Sequence, residues 1–228
     1  MRIRYGVFVV LASTALSACG SAALDTDDQK ASYGIGMDMG RNLGPAASHL
    51  DREAFLRGLE DAVEGREPAI SSEEMREVYQ RFTAMLQAEE EAQRGAASEK
   101  NAAEGAAYLA ENGARDGVTT TASGLQYEVL REGDGPRPGP HDQVTIHYRG
   151  TLIDGTEFDS SYERGAPLTM GANQFVPGFS EGIQLMETGS QYRFVIPGDI
   201  GYGAQGSGGV IGPNATLIFE VELMEISQ

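Results

Sequence analysis

The chain has 228 residues, 40% of them hydrophobic, with 30 glycines, 9 prolines and no tryptophan, which suits a folded protein of one or two domains. Its 34 acidic side chains against 17 basic ones give a net charge of −17. That balance repels phosphate backbones and acidic lipid surfaces alike, so it argues against nucleic-acid binding and against electrostatic attachment to a membrane.

At the N-terminus Arg2 and Arg4 precede a mostly apolar run, Val7 to Leu16. About ten residues are too few to span a bilayer as a helix, and a charged start, short apolar run and small residues make the pattern of an export signal. Leu16-Ser17-Ala18-Cys19 resembles the bacterial lipobox, in which cleavage falls before a cysteine that then receives acyl chains. Cys19 is the chain's only cysteine and has no internal disulfide partner, so lipidation gives it a purpose. Several acyl chains, at about 0.8 kcal/mol per buried CH₂, make a stable membrane anchor. Gly20 and Ser21 follow where an aspartate would favour inner-membrane retention, so the expected location is the cell envelope, anchored to the outer membrane and facing the periplasm or the surface. Removing residues 1–18 takes both early arginines and makes the chain more acidic still.

Residues 25 to 113 read as helical. Asp25 to Asp28 offers acidic capping residues before Tyr33, Ile35, Met37, Met39 and Leu43, with glycines at 34, 36 and 40 that fit close packing by another helix. A second helix is predicted over Asp51 to Glu64, with Phe55, Leu59 and Val63 on one face and Gly65 as its stop. A third starts at a capping box, Ser71 with Glu74, and carries Met75, Val78, Tyr79, Phe82, Met85 and Leu86 at helical spacing. Beyond Leu86 the large apolar residues thin out while helix formers continue to about Glu111, with Asn112-Gly113 as the stop. That polar second half reads as a solvated spacer or a flexible linker. Three helices are few for an independent core, so they are expected to bury against a second copy of themselves; a monomeric three-helix cap is the alternative.

The remainder carries strand and turn signals. Leu125 to Val129 alternates, as do Val144, Ile146 and Tyr148; Asp154-Gly155 marks a turn before Thr156 to Asp159. Phe179 to Met186 is predicted as a short helix, and Tyr192 to Ile196 and Leu217 to Ile226 as closing strands. A sheet wrapped on one helix is an α+β architecture.

Within this half, Val144 to Leu152, then Asp154-Gly155-Thr156-Glu157-Phe158-Asp159-Ser160-Ser161, resembles the FKBP family. Phe175-Val176-Pro177-Gly178-Phe179, Gly201-Tyr202-Gly203 and Ile211 to Phe219 follow in family order, so the resemblance spans about 119–228. Ser32-Tyr33-Gly34-Ile35-Gly36 and the long helix before Ser123 to Tyr127 are similar to the Mip-like branch, whose members are exported and dimerise through N-terminal helices. The resemblance implies a signal peptide over 1–18, a helical dimerisation region over 19–70, a long connecting helix over 71–113 and an isomerase domain over 119–228. It also implies a homodimer through residues 20–90.

The activity implied is peptidyl-prolyl cis-trans isomerisation of proline-containing unfolded or exported polypeptides, inhibited by macrolides such as FK506. By the same resemblance Tyr148, Phe158, Val176, Ile211 and Phe219 line an apolar pocket for the proline ring, with Phe179 as its floor. Asp159 is the acidic residue, Arg164 the base near it, and Leu168 and Val210 lie at the rim. The Val176 N–H and Tyr202 hydroxyl are the expected donors to substrate carbonyls, with Asp159, Tyr202 and Phe158 as the catalytic set. Two departures stand out: Phe179 replaces the family's usual tryptophan, and Leu168 and Ser207 replace bulkier rim residues.

The reaction suits such a site. Rotation about an X-Pro bond faces about 18 to 20 kcal/mol because the planar amide is resonance-stabilised. The twisted amide has lost that resonance, and its oxygen carries less charge. An apolar pocket penalises it less than the planar form, and fixed donors add stabilisation specific to the transition state. No cofactor, metal or nucleophile is needed. His49, His141 and His147 are scattered without zinc-ligand spacing, and the glycine-rich stretch Gly201 to Gly212 lacks the Lys-Ser/Thr of a phosphate loop. Competing readings are a holdase chaperone gripping clients through its methionine-bearing helices, and a surface binding protein with weak or absent isomerase activity.

Overall fold

The computed structural model describes residues 23–227. The export segment and Cys19 lie outside them. Contacts divide the chain into two units, with the boundary between Tyr79 and Gln80.

The first unit is helical. Helix α1 (Asp27–Asn42) starts at Thr26, whose side chain accepts from the Gln29 N–H while the Gln29 side chain accepts from the Thr26 N–H. This capping box uses Thr26 rather than the neighbouring aspartates. A 3₁₀ segment (Gly44–His49), which no periodicity announced, leads to α2 (Arg52–Val63), capped by Asp51 through the Ala54 N–H. Helix α3 (Ser72–Gly113) is 42 residues long and capped by Ser71 through the Glu74 N–H. Neither α1 nor α2 has a single buried residue. Ile35 is 63% exposed, Val63 80% and Tyr79 62%.

The second unit holds a seven-stranded antiparallel sheet: β1 (Val118–Thr120), β2 (Gln126–Arg131), β3 (Gln143–Leu152), β4 (Glu157–Ser160), β5 (Leu168–Gly171), β6 (Gln191–Ile196) and β7 (Leu217–Ser227). The order is β1-β2-β6-β7-β3-β4, and β5 also pairs with β3. Strand β3 is the spine. Its alternate residues Val144, Ile146, Tyr148 and Gly150 are buried, as period-2 patterning requires. Helix α4 (Pro177–Leu185) sits on this face, and its Phe179 and Ile183 join Leu125, Phe194, Ile196, Leu217, Val221 and Leu223 in one core. The α+β architecture holds. The short strands β1 and β5 were not legible as strands in the sequence.

The second half of α3, expected as a solvated spacer or flexible linker, is solvated helix over residues 87–96 and docked from Ala97 onward. It is helical to Gly113. Buried Asn112 donates to the Gln126 side chain at 2.8 Å, and Gln126 in turn donates to the Leu109 carbonyl. Arg193 of β6 donates to Asn112 at 3.1 Å and to the Tyr108 hydroxyl at 2.7 Å. At Gly105 the helix comes so close that a Cβ would lie 2.2 Å from the Thr216 hydroxyl. The docking surface is mostly polar groups around one glycine, with Leu109 its one large aliphatic side chain, so no apolar stripe marks it.

Candidate active site

Gly150 organises the cavity. It pairs with Phe219 of β7 on one side and Asp159 of β4 on the other. Without a Cβ it lets the Phe158 and Phe219 rings close over it; a methyl there would lie 2.6 Å from Phe158 and 2.8 Å from Phe219. Those two rings meet edge to face at 5.4 Å between centroids. Phe179, from the first turn of α4, forms the floor and meets Phe219 edge to face at 5.0 Å and Tyr148 at 6.4 Å. Phe175 stacks on Phe179 at 4.5 Å, so the floor is an aromatic pair.

The resulting cavity has a volume of about 430 Å³. Tyr148, Phe158, Asp159, Leu168, Val176, Phe179, Tyr202, Val210, Ile211 and Phe219 all line it. Arg164 does not; it stands behind Asp159 and donates to its Oδ1. Met170, Gln174 and Phe175 also line the cavity and were missed. Phe175 belongs to the Phe175–Phe179 motif, and the other two lie in or just after β5, which has no alternating run long enough to mark it as a strand. His147 does not line the cavity; its ring stacks on Tyr162 at 4.6 Å and contacts the Ser161 hydroxyl. Ser161, fully buried, also accepts from the Tyr148 N–H at 2.8 Å and so fixes the strand that carries Tyr148.

The polar groups are few and tied together. The Tyr148 hydroxyl donates to Asp159 Oδ2 at 2.5 Å and accepts from Arg164 at 2.8 Å. Burial, and then the hydrogen bond to Asp159, push the Tyr148 phenol above its ordinary pKa, so it stays a neutral donor. Burial first and the Asp159 charge second raise the Tyr202 phenol in the same way. The bond to Tyr148, together with Asp159, strengthens the protonation of Arg164. Val176 precedes α4 as its N-cap, so its N–H stands outside the helix's own ladder, and Pro177 behind it offers none. Chemically, the site is an aromatic box with one braced carboxylate and hydrogen-bond donors at its mouth. Among the described residues no cluster of His, Cys, Asp or Glu fit to hold a metal occurs, and no helix is long and apolar enough to cross a membrane.

Comparisons with known proteins identify a family. Residues 28–129 match the domain amino terminal to FKBP-type peptidyl-prolyl isomerase, and residues 135–224 match the FKBP-type peptidyl-prolyl cis-trans isomerase family itself. The outer membrane protein MIP of Legionella longbeachae is 38% identical over 216 residues, covering 95% of this chain and 93% of that one. The FKBP-type 22 kDa peptidyl-prolyl cis-trans isomerase of Escherichia coli K12 is 42% identical over 207 residues, 89% of this chain and 97% of that one. Among solved structures, FkpA from Escherichia coli superposes with a TM-score of 0.70 at 34% identity, covering 90% of this chain and 99% of that one.

Proposed function

The chain belongs to the FKBP-type peptidyl-prolyl cis-trans isomerases, enzymes that assist folding, and from that premise we propose how its own residues carry the reaction. The proline ring of a client enters the aromatic box and rests on Phe179. Phe158, Val176, Ile211 and Phe219 surround it, with Leu168 and Val210 at the rim. The observation that carries this reading is the braced carboxylate: Asp159, held by Tyr148 and Arg164, at the edge of an aromatic-lined cavity of about 430 Å³. A fixed negative charge opposes the planar amide, whose oxygen carries more charge, more than it opposes the twisted one. The Val176 N–H and the Tyr202 hydroxyl hold the flanking carbonyls in the geometry the twisted bond needs. These contributions act on the transition state more than on the ground state, which is the condition for raising kcat.

The test is isomerisation of an X-Pro peptide by the wild type and Asp159→Ala, each with and without FK506. Turnover that falls with Asp159→Ala and stops with the macrolide supports the assignment. Wild-type turnover untouched by both would remove Asp159 and the cavity from the reaction.

Assembly and location belong to the same reading. Neither α1 nor α2 has a fully buried residue within the chain, which supports a homodimer formed through residues 20–90. We assign 19–70 to that dimerisation region, 71–113 to the connecting helix and 119–228 to the isomerase domain. Residues 1–18 act as a signal peptide, and lipidated Cys19 anchors the protein to the envelope, the outer membrane being favoured by Gly20 and Ser21. The Legionella relative is named an outer membrane protein, which supports the envelope. Membrane fractionation of Cys19→Ser tests the anchor; a variant still bound to membrane contradicts it. The exposed Ile35, Met37 and Met39 of α1 also favour a holdase role beside the isomerase, measured as suppression of client aggregation that survives Asp159→Ala.

A further inference from the structure

The rim of the cavity is continuous with the docked half of α3. Ser207 and Ile211 exchange backbone hydrogen bonds of 2.8 and 3.0 Å, closing a hairpin whose return arm runs from Ile211 to Thr216. Helix α3 grips that arm from outside the cavity. Asn101 donates to the Pro213 carbonyl at 2.8 Å, and a Cβ on the adjoining Gly212 would lie 2.9 Å from the same amide nitrogen. One turn earlier Ser98 accepts from the Asn214 side chain at 2.7 Å. Asn214 is the one non-glycine among the described residues with a left-handed backbone, φ 54°, and its own N–H donates to the Gly203 carbonyl at 2.8 Å. Gly203 follows Tyr202. A path of direct contacts therefore runs from Ser98 through Asn214 and Gly203 to the tyrosine at the mouth, and from Asn101 through Pro213 to Ile211.

We infer that Ser98 and Asn101 of the long helix are positioning residues for isomerisation, setting Ile211 and Tyr202 against the substrate through the 211–216 arm. The inference rests on the assignment of Ile211 and Tyr202 to the substrate site. Solvation alone would satisfy a serine and an asparagine on a helix surface. Here both reach a loop more than a hundred positions along the chain, and both bonds land within three residues of a cavity-lining group. Substrate affinity is the quantity such a brace controls, because a loosened rim must be ordered anew at each binding event.

The experiment is steady-state kinetics of the full chain carrying Ser98→Ala, Asn101→Ala and both, with kcat and KM determined separately and the melting temperature measured alongside. The Ile211 methyl resonance is followed by NMR. The expected result is a rise in KM of about fivefold per lost bond, the scale of one hydrogen bond, with kcat changed less. The Ile211 methyl signal should shift, Ser98→Thr should restore KM because it keeps the hydroxyl, and Glu99→Ala on the same turn should behave as wild type. Wild-type KM in the double variant, whatever its melting temperature, overturns the inference. So does a KM rise that Ser98→Thr fails to reverse, or that arrives without movement of the Ile211 methyl. Tyr202→Phe run in parallel separates the two layers: unchanged kinetics there would undo the site assignment itself, whereas a loss there with normal Ser98 and Asn101 variants would undo the helix's part alone.

Discussion

Tyr148 and Asp159 are diagonal neighbours on strands β3 and β4, joined by a 2.5 Å hydrogen bond from the phenol to Oδ2. Ser161 fixes the backbone of the first, and Arg164 holds the second from its other oxygen. Tyr148→Phe keeps the ring against Phe179 and Phe219 but removes one of the two holds on the carboxylate. A hydrogen bond to a charged group contributes about 1.5 to 3 kcal/mol, so kcat/KM should fall by about tenfold or more while the fold persists. Peptide isomerisation kinetics with circular dichroism checks both halves.

The phenols of Tyr148, Tyr192 and Tyr202 are all raised above 10.0, chiefly by burial. The fold favours their neutral form, so ionisation is easier in the unfolded chain, where the pKa is about 10. Their stability contribution is therefore complete below about pH 10 and is lost as pH climbs through the higher folded values. Melting temperatures should hold from pH 8 to 9.5 and drop above pH 10. Tyr192→Phe should flatten that drop; an identical profile in this variant would remove Tyr192 from the effect.

Gly150→Ala places a methyl 2.6 Å from the Phe158 ring in a packed corner. Overpacking of this kind costs about 1 to 3 kcal/mol. Urea unfolding should move to a lower midpoint, and substrate KM should rise because Phe158 and Phe219 are pushed into the cavity.

Phe179 is buried on the floor with Phe175, Phe194, Tyr148 and Phe219 around it. Phe179→Ala should cost about 3 to 5 kcal/mol and abolish measurable turnover. Phe179→Trp, which installs the larger ring, should also destabilise unless Phe175 is shortened with it, because the stacked Phe175 already fills the adjoining volume. Denaturation of the single variant beside Phe179→Trp with Phe175→Leu decides the point.

Helix α1 exposes Ile35 and Tyr33, and α2 exposes Leu56 and Val63. Ile35→Asp together with Val63→Asp should turn a dimeric mass into a monomeric one in light scattering. A wild type already monomeric at micromolar concentration would contradict the dimer outright.

The residues of the aromatic box are legible through the family resemblance of their motifs; strand alternation by itself fixes only which residues of β3 face inward. Val144, Ile146 and Tyr148 show that pattern directly. What escaped was of a different kind. Strand β5 is only four residues long and lacks a continuous alternating run, so Met170 and Gln174 went unassigned. The docked half of α3 escaped because hydrophobic periodicity detects apolar burial. Ser98 and Asn101 meet the 211–216 loop, and Tyr108 and Asn112 the sheet, through hydrogen bonds, and their spacing is that of any solvated helix face. Thr26 was overlooked beside three aspartates, although only its side chain, paired with Gln29, has the reach of a capping box.

The bond between buried Asn112 and Gln126 has a practical meaning for anyone cutting or recombining this chain. A fragment begun at residue 114 would leave the Gln126 amide and the Arg193 guanidinium without the groups that satisfy them. A chimaera joined there would depend on its donor helix supplying Tyr108 and Asn112 in register. A fragment that keeps every one of these polar contacts therefore has to begin before Ser98, within α3.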